Sequence, residues 1–267
     1  MTAIDPTARI EDGAVIGEGS TIGPYCIVGR DVVIGAGATL TAHVHIAGRT
    51  TIGARCAISP FVSLGTPPQS LAWRGEPTRL EIGDDCTLRE GVTVNIGTQG
   101  GGGVTRIGHR VYMMNNSHVG HDCQVGNDVI FATSATLGGH CEIGDHVFIG
   151  GLSALHQFAR VGAQAMIGGT CGVRGDVIPY GFVTTPYSTL EGLNVVGMKR
   201  RNFSRARIRL LHGFYKALFH GPGLFAERLA EARARVGEDP AIAEIVTFID
   251  GGGHRSLCLP WDKAAPS

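Results

Sequence analysis

In the stretch HVGHDCQVGN (118–127), His118 and His121 stand three residues apart and Asp122 directly follows the second histidine. A neutral imidazole can accept a proton from a hydroxyl near pH 7, and a neighbouring carboxylate can orient it. The same residue types bind zinc when further histidines converge on them. On a solvent-facing turn they are only polar surface. Spacing within ten residues does not separate these readings, so the elements that carry them must.

Those elements are written as a six-residue repeat. Aliphatic side chains recur every sixth position from Ile10 to Leu64, again at Ile82, Leu88 and Val94, and then from Ile107 to Val173. Such a hexapeptide period is the signature of a β-helix solenoid. Each hexad supplies one short strand and a turn, with its aliphatic residue pointing into a narrow axial core. Glycine, 41 of 267 residues, is about twice as frequent as its roughly 7% norm and suits tight corners. Cys26, Cys56, Cys86, Cys123, Cys141 and Cys171 each sit two places before an aliphatic position. That common phase predicts six small buried packing residues rather than a metal or disulfide set.

Two stretches leave the rhythm, GTPPQSLAWRGEPTRL (65–80) and GTQGGGGVT (97–105), and are expected to be loops at a binding face. The repeat ends near residue 190. Beyond it the spacing predicts helices over 204–219, 224–236 and 239–250, the first capped by Ser204 and the third by Asp239 with Pro240 in its first turn. The expected architecture is mainly β: a parallel β-helix over 1–190 and a small α-helical domain over 191–267.

With three hexads per coil, residues 18 apart stack. His121, Gly139 and Gln157 fall in one column, Asp122, His140 and Phe158 in the next, and Gly138 lies under His156. HVGHD, GGH (138–140) and HQF (156–158) therefore meet on one edge. A base beside an unshielded backbone N–H is the minimum equipment for moving an acyl group onto an alcohol, because the N–H can stabilise an oxyanion. Zinc held by several histidines and plain polar surface remain open on this geometry.

Formal net charge is zero, which argues against nucleic-acid binding through a basic face. No signal peptide is visible and no apolar run approaches a membrane span. Seven cysteines without a CxxC pair predict reduced thiols and a cytoplasmic protein.

Together with the repeat, HVGHDCQVGN, GGH, GLSALHQF, IGGTCGV and GMKRRNFS resemble the UDP-N-acetylglucosamine O-acyltransferases of lipid A biosynthesis. The likeness covers nearly the whole chain, including GEPTRLEIG and the helical tail. It implies a left-handed solenoid and a cytoplasmic homotrimer with sites between subunits. It also implies transfer of a 3-hydroxyacyl chain from acyl carrier protein to the 3-hydroxyl of the UDP-sugar, without a metal or other cofactor. Under this resemblance His121 is the general base, Asp122 its acidic support and Gly139 the oxyanion donor. On a strand, neighbouring side chains point oppositely, so Asp122 can reach His121 only across a turn. Gln69, His118, His140, His156, Gln157 and Asn194 would line the substrate groove. Arg200 and Arg201 would hold the diphosphate. Gly169 would leave room for a long acyl chain that Met166 and Tyr187 could shorten. Arg205, Arg207 and Arg209 would face the acidic acyl carrier protein.

The chain departs from the family pattern at three places. Gln69-Ser70 replaces Gln-Asp, Asn95-Ile96-Gly97-Thr98 replaces His-Arg-Gly-Thr, and Asn194-Val195-Val196-Gly197 replaces Asn-Ile-Glu-Gly. Each removes a charged or titratable side chain, which keeps a 3-amino sugar or another UDP-sugar acceptor open. A zinc hydratase like the γ-carbonic anhydrases, and a paralogue that only binds UDP-sugar, are the other readings.

Overall fold

In the computed structural model, which describes residues 1–185 and 188–261, each hexad is a two-residue strand followed by a turn. Thr136–Leu137 is representative: Leu137 is fully buried and Thr136 lies at the surface-facing side. Strands stack in parallel at the 18-residue register, His118 on Thr136 and Thr136 on Ala154. Among the described residues three sheets of eleven, nine and eight strands result. They are the first, second and third faces of a prism, beginning with Ala3–Ile4, Arg9–Ile10 and Val15–Ile16. The fold is a left-handed parallel β-helix with a small helical region at its carboxy-terminal end.

The chain turns each edge by placing one residue in the left-handed region. Asp122, His140 and Phe158 do so at φ 62, 61 and 65°. The axial core is aliphatic, with Met113 and Phe131 fully enclosed. All six repeat cysteines are buried in it, and Cys123 donates its S–H to Gly138 O at 3.1 Å. Cys258, outside the repeat, is buried as well.

The sheet outlasts the repeat. Gly181–Thr184 pairs in parallel with Met166–Ile167, and Thr189–Leu193 folds back antiparallel on it. Among the described residues four helices follow: α1 (Val195–Arg200), α2 (Arg205–His220), α3 (Phe225–Arg233) and α4 (Pro240–Asp250). The short α1 was not among the expected helices, because six residues show no helical period. Ser204 caps α2 by accepting from Arg207 N at 3.1 Å, and Asp239 caps α4 by accepting from Ala241 N at 2.8 Å. Helix α2 buries Leu211, Phe214, Tyr215 and Leu218, and α4 buries Ile242 and Ile245. Tyr180 of the coil donates to Glu244 of α4 at 2.6 Å. Among the described residues no helix is long and apolar enough to cross a membrane.

Candidate active site

Both inserted loops leave the coil at one edge. Residues 67–78 lie between Ser63–Thr66 and Arg79–Ile82, and residues 96–103 between Thr93–Asn95 and Val104–Ile107. In each case the chain is passing from the second face to the third. His121 and Asp122 make the same passage on the next rung, followed by Gly139 and His140, then Gln157 and Phe158. The hexad thus stacks the candidate residues on one edge, and the loops wall it.

The left-handed residue at each turn answers the strand objection. At φ 62° Asp122 swings back toward its predecessor, and His121 Nδ1 lies 2.8 Å from Asp122 Oδ2. Asp122 is nearly fully buried, yet its carboxylate is well supplied with donors. Thr98 N donates to Oδ1 at 2.7 Å and Thr98 Oγ1 to Oδ2 at 2.6 Å. The Asp122 amide donates to Thr105 Oγ1 at 2.8 Å. An ionised carboxylate only accepts, so His121 Nδ1 carries the proton and Nε2 presents its lone pair. The glycine-rich stretch therefore clamps the carboxylate from above. A Cβ at Gly101 would overlap the Asp122 carboxylate, which accounts for glycine there.

On the next rung Gly139 lies against the imidazole. A Cβ at this position would sit 2.8 Å from His121 Nε2. The Gly139 N–H has no acceptor among the described residues, while its carbonyl accepts from Phe158 N at 3.0 Å. His121 and Gly139 open on a cavity of about 470 Å³, walled also by Gln69, Asn95, His118, His156 and Gln157. His118 Nδ1 is 2.8 Å from Thr93 Oγ1. Burial, with a smaller contribution from His121, holds its imidazole below the usual value, so it is neutral at pH 7.

His140 lies on the other side. With Asp122, Phe158, Arg160 and His254 it lines a separate cavity of about 750 Å³ under the glycine-rich loop. Its ring stacks on Phe158 at 4.4 Å and stands edge-on to His121 at 5.0 Å. The expectation that it shares a groove with His118 and His156 is corrected: at φ 61° its side chain turns to the far side of the edge. Burial pushes its pKa down, His121 and His254 add to this, and Asp122 opposes it.

His121, Asp122 and His140 offer ligand atoms within 4.8 Å of one another. A cation on the Asp122 oxygen that faces both histidines, Oδ2, would compete with the Thr98 hydroxyl and the His121 Nδ1 proton for it. The carboxylate is thus committed to orienting an imidazole, and this donor set fits a resident metal poorly.

Comparison with known proteins assigns the chain. A family profile described as Udp N-acetylglucosamine O-acyltransferase, Domain 2, matches residues 176–258, and one described as bacterial transferase hexapeptide matches residues 7–42. An acyl-[acyl-carrier-protein]–UDP-N-acetylglucosamine O-acyltransferase of Azorhizobium caulinodans is 57% identical, covering 97% of this chain and 96% of its own. The chain belongs to the UDP-N-acetylglucosamine O-acyltransferase family. A Rickettsia canadensis protein of the same name is 50% identical, covering 96% of this chain and 97% of its own. The solved UDP-N-acetylglucosamine O-acyltransferase of Moraxella catarrhalis superposes with a TM-score of 0.92 at 39% identity, covering 96% and 99% of the two chains. These likenesses do not favour the amino-sugar, zinc-hydratase or binding-only readings.

Other residues expected in the site of this O-acyltransferase fold lie elsewhere on the chain. Asn194 caps α1, accepting from Gly197 N and donating to Gln164 O at 2.9 Å each. Arg201 donates to His146 O at 2.9 Å, and Arg200 is exposed at the end of the same helix. These three sit at the edge between the third and first faces. Met166 is on the first face and Gly169 at the edge between first and second. None of the five lines the His121 cavity, because a single prism holds its three edges apart. Tyr187 lies outside the described residues.

The three departures from the family pattern also separate. Ile96 is a core residue, and Val196 is exposed on α1. Ser70 lies in the first loop, its carbonyl accepting from Trp73 N at 3.2 Å. Only Asn95 belongs to the cavity wall, with its Nδ2 donating to Thr66 Oγ1 and Pro67 O at 3.0 Å each. They do not form one acceptor subsite within the chain, so together they give no support to a 3-amino sugar or another UDP-sugar acceptor. Thr98 and Thr105 were not singled out from the sequence. Thr98 belongs to a loop outside the hexad period, and nothing in the repeat places it over Asp122.

Proposed function

We propose that this protein transfers a 3-hydroxyacyl chain from acyl carrier protein to the 3-hydroxyl of UDP-N-acetylglucosamine, the first step of lipid A biosynthesis. The observation that carries the reading is the oriented imidazole. Asp122, held by Thr98, keeps the proton on His121 Nδ1, and Nε2 is left as a base beside the Gly139 N–H.

In the reaction His121 Nε2 takes the proton of the sugar 3-hydroxyl as its oxygen attacks the thioester carbonyl. The carbonyl oxygen becomes an oxyanion that the Gly139 N–H stabilises. Collapse forms the ester, breaks the C–S bond and expels the carrier thiolate, which recovers the proton from His121. No metal or organic cofactor takes part, since the acyl chain arrives activated on its carrier.

The separation of Arg200, Arg201, Asn194, Met166 and Gly169 from His121 supports a homotrimer in which a neighbouring subunit brings its own copies to each site. In that assembly the arginines hold the diphosphate, and residues 166 and 169 bound the acyl chain. Reduced, buried cysteines accord with a cytoplasmic enzyme.

The test is incubation of the purified protein with 3-hydroxyacyl carrier proteins and UDP-N-acetylglucosamine, with products read by mass spectrometry. His121→Ala should lower kcat by roughly 10²–10⁴-fold. Absence of acylated sugar from the wild type overturns the function, and normal turnover by His121→Ala overturns the mechanism.

A further inference from the structure

The repeat runs out one rung above Gln157 and Phe158, yet the edge is not left open. Residues 254–258, far along the chain, occupy the missing rung. Leu257 forms a parallel bridge to Asp176. Asp176 N donates to Ser256 O, and Cys258 N to Asp176 O, at 2.8 Å each. A Cβ at Gly175 would lie 2.5 Å from Ser256 O, so glycine lets the tail approach this closely. The ring of His254 then extends the His140–Phe158 stack, 5.0 Å from Phe158.

Arg255 extends the neighbouring column. Its Nε donates to Gln157 O at 3.1 Å, and its Nη2 lies 2.5 Å from His156 Nδ1. A guanidinium has donors only, so this contact requires His156 Nδ1 to accept and its proton to sit on Nε2. A competing contact exists: Nδ1 is also 3.2 Å from Gln157 O, which would require the opposite tautomer. The shorter, charge-assisted contact decides between them. His156 shares the cavity wall with His121, Gly139 and Gln157.

We infer that Arg255 is a positioning residue: it locks His156 in the Nε2–H tautomer, so that His156 donates a hydrogen bond to an oxygen of the bound sugar nucleotide. A base would be the wrong partner there, because carbonyl and phosphate oxygens of the nucleotide only accept. The guanidinium also places positive charge behind His156 and Gln157 of the cavity wall, and the sugar nucleotide brings two phosphates. The effect on turnover rests on the proposed acyl transfer; the tautomer does not.

The two parts are therefore measured separately. Long-range ¹H–¹⁵N correlation spectra of the full chain, without substrate, report the His156 tautomer. Wild type should show Nε2–H, Arg255→Ala should shift His156 to Nδ1–H, and Arg255→Lys should restore Nε2–H. Nδ1–H in the wild type overturns the inference even if no variant folds, as does an unchanged tautomer in a folded Arg255→Ala. In turnover assays Arg255→Ala should raise KM for UDP-N-acetylglucosamine about tenfold with kcat within about threefold, and Arg255→Lys should recover most of that loss. An unchanged KM overturns the role in nucleotide binding. A wild type that makes no acylated sugar would sink the acyl-transfer reading and leave the tautomer result standing.

Discussion

The carboxylate of Asp122 does its work through the hydrogen bonds it accepts. Thr98 supplies two donors and His121 the third. Asp122→Asn keeps the shape but offers an amide N–H where an acceptor is needed, so His121 loses the tautomer that leaves Nε2 free. A kcat reduced by roughly 10²–10⁴-fold is expected in steady-state assays. Thr98→Val removes only the hydroxyl donor and should lower kcat about tenfold, the scale of one hydrogen bond to a charged group.

His118 and His140 make a second point at the same scale. Burial lowers both imidazole pKa values in the folded state from an ordinary 6.5. Below that value the unfolded chain binds protons that the native state refuses. Stability therefore rises with pH through this window. It is complete above about 6.5 and is lost as pH falls through the lowered folded values. Melting temperature should drop as pH falls below about 6.5, and His118→Asn should flatten that slope. An unaltered slope would remove His118 from the account.

At the scale of elements, the edge turn converts sequence spacing into a site. Each rung puts one residue into the left-handed region, and His140 diverges from His118 for the same reason that Asp122 meets His121. The helical region depends instead on its caps. Asp239 accepts from Ala241 N at the start of α4 and pairs with Arg207 of α2 through two bonds of 2.7 and 2.8 Å. Asp239→Ala removes the cap and the tie between helices together, and should cost about 1–2 kcal/mol in urea unfolding. Arg207 is thereby engaged with Asp239, so of the three arginines expected to face acyl carrier protein it contributes least free charge.

At the scale of the whole molecule, the proposed site draws on residues that one chain holds apart. The His121 cavity lies on one edge and Arg200 and Arg201 on another. If neighbouring subunits complete each other's sites, His121→Ala and Arg200→Ala chains are each inactive alone but share intact sites when mixed. Unfolding and refolding the two together at equal ratio should recover up to about a quarter to a third of wild-type activity, as mixed trimers form. No recovery in refolded mixed oligomers would remove Arg200 from the site that His121 serves.

The hexad period, its phase and the column of His121, Gly139 and Gln157 were legible because a solenoid maps position along the chain directly onto position in space. Six cysteines could be assigned to the core for the same reason. What the period cannot carry is any contact between parts that do not repeat. Thr98 meets Asp122 only because a loop folds back over the edge. Asn194 and the arginines end on another edge because α1 packs there. Arg255 reaches His156 from nearly a hundred residues away, since the tail supplies a rung that the repeat does not. Side-chain alternation and hydrogen bonds repeated from one rung to the next set the coil, so the periodic sequence alone determined it. The orientation of the base, and which residues join it, depended on long-range packing and were decided only by the tertiary structure.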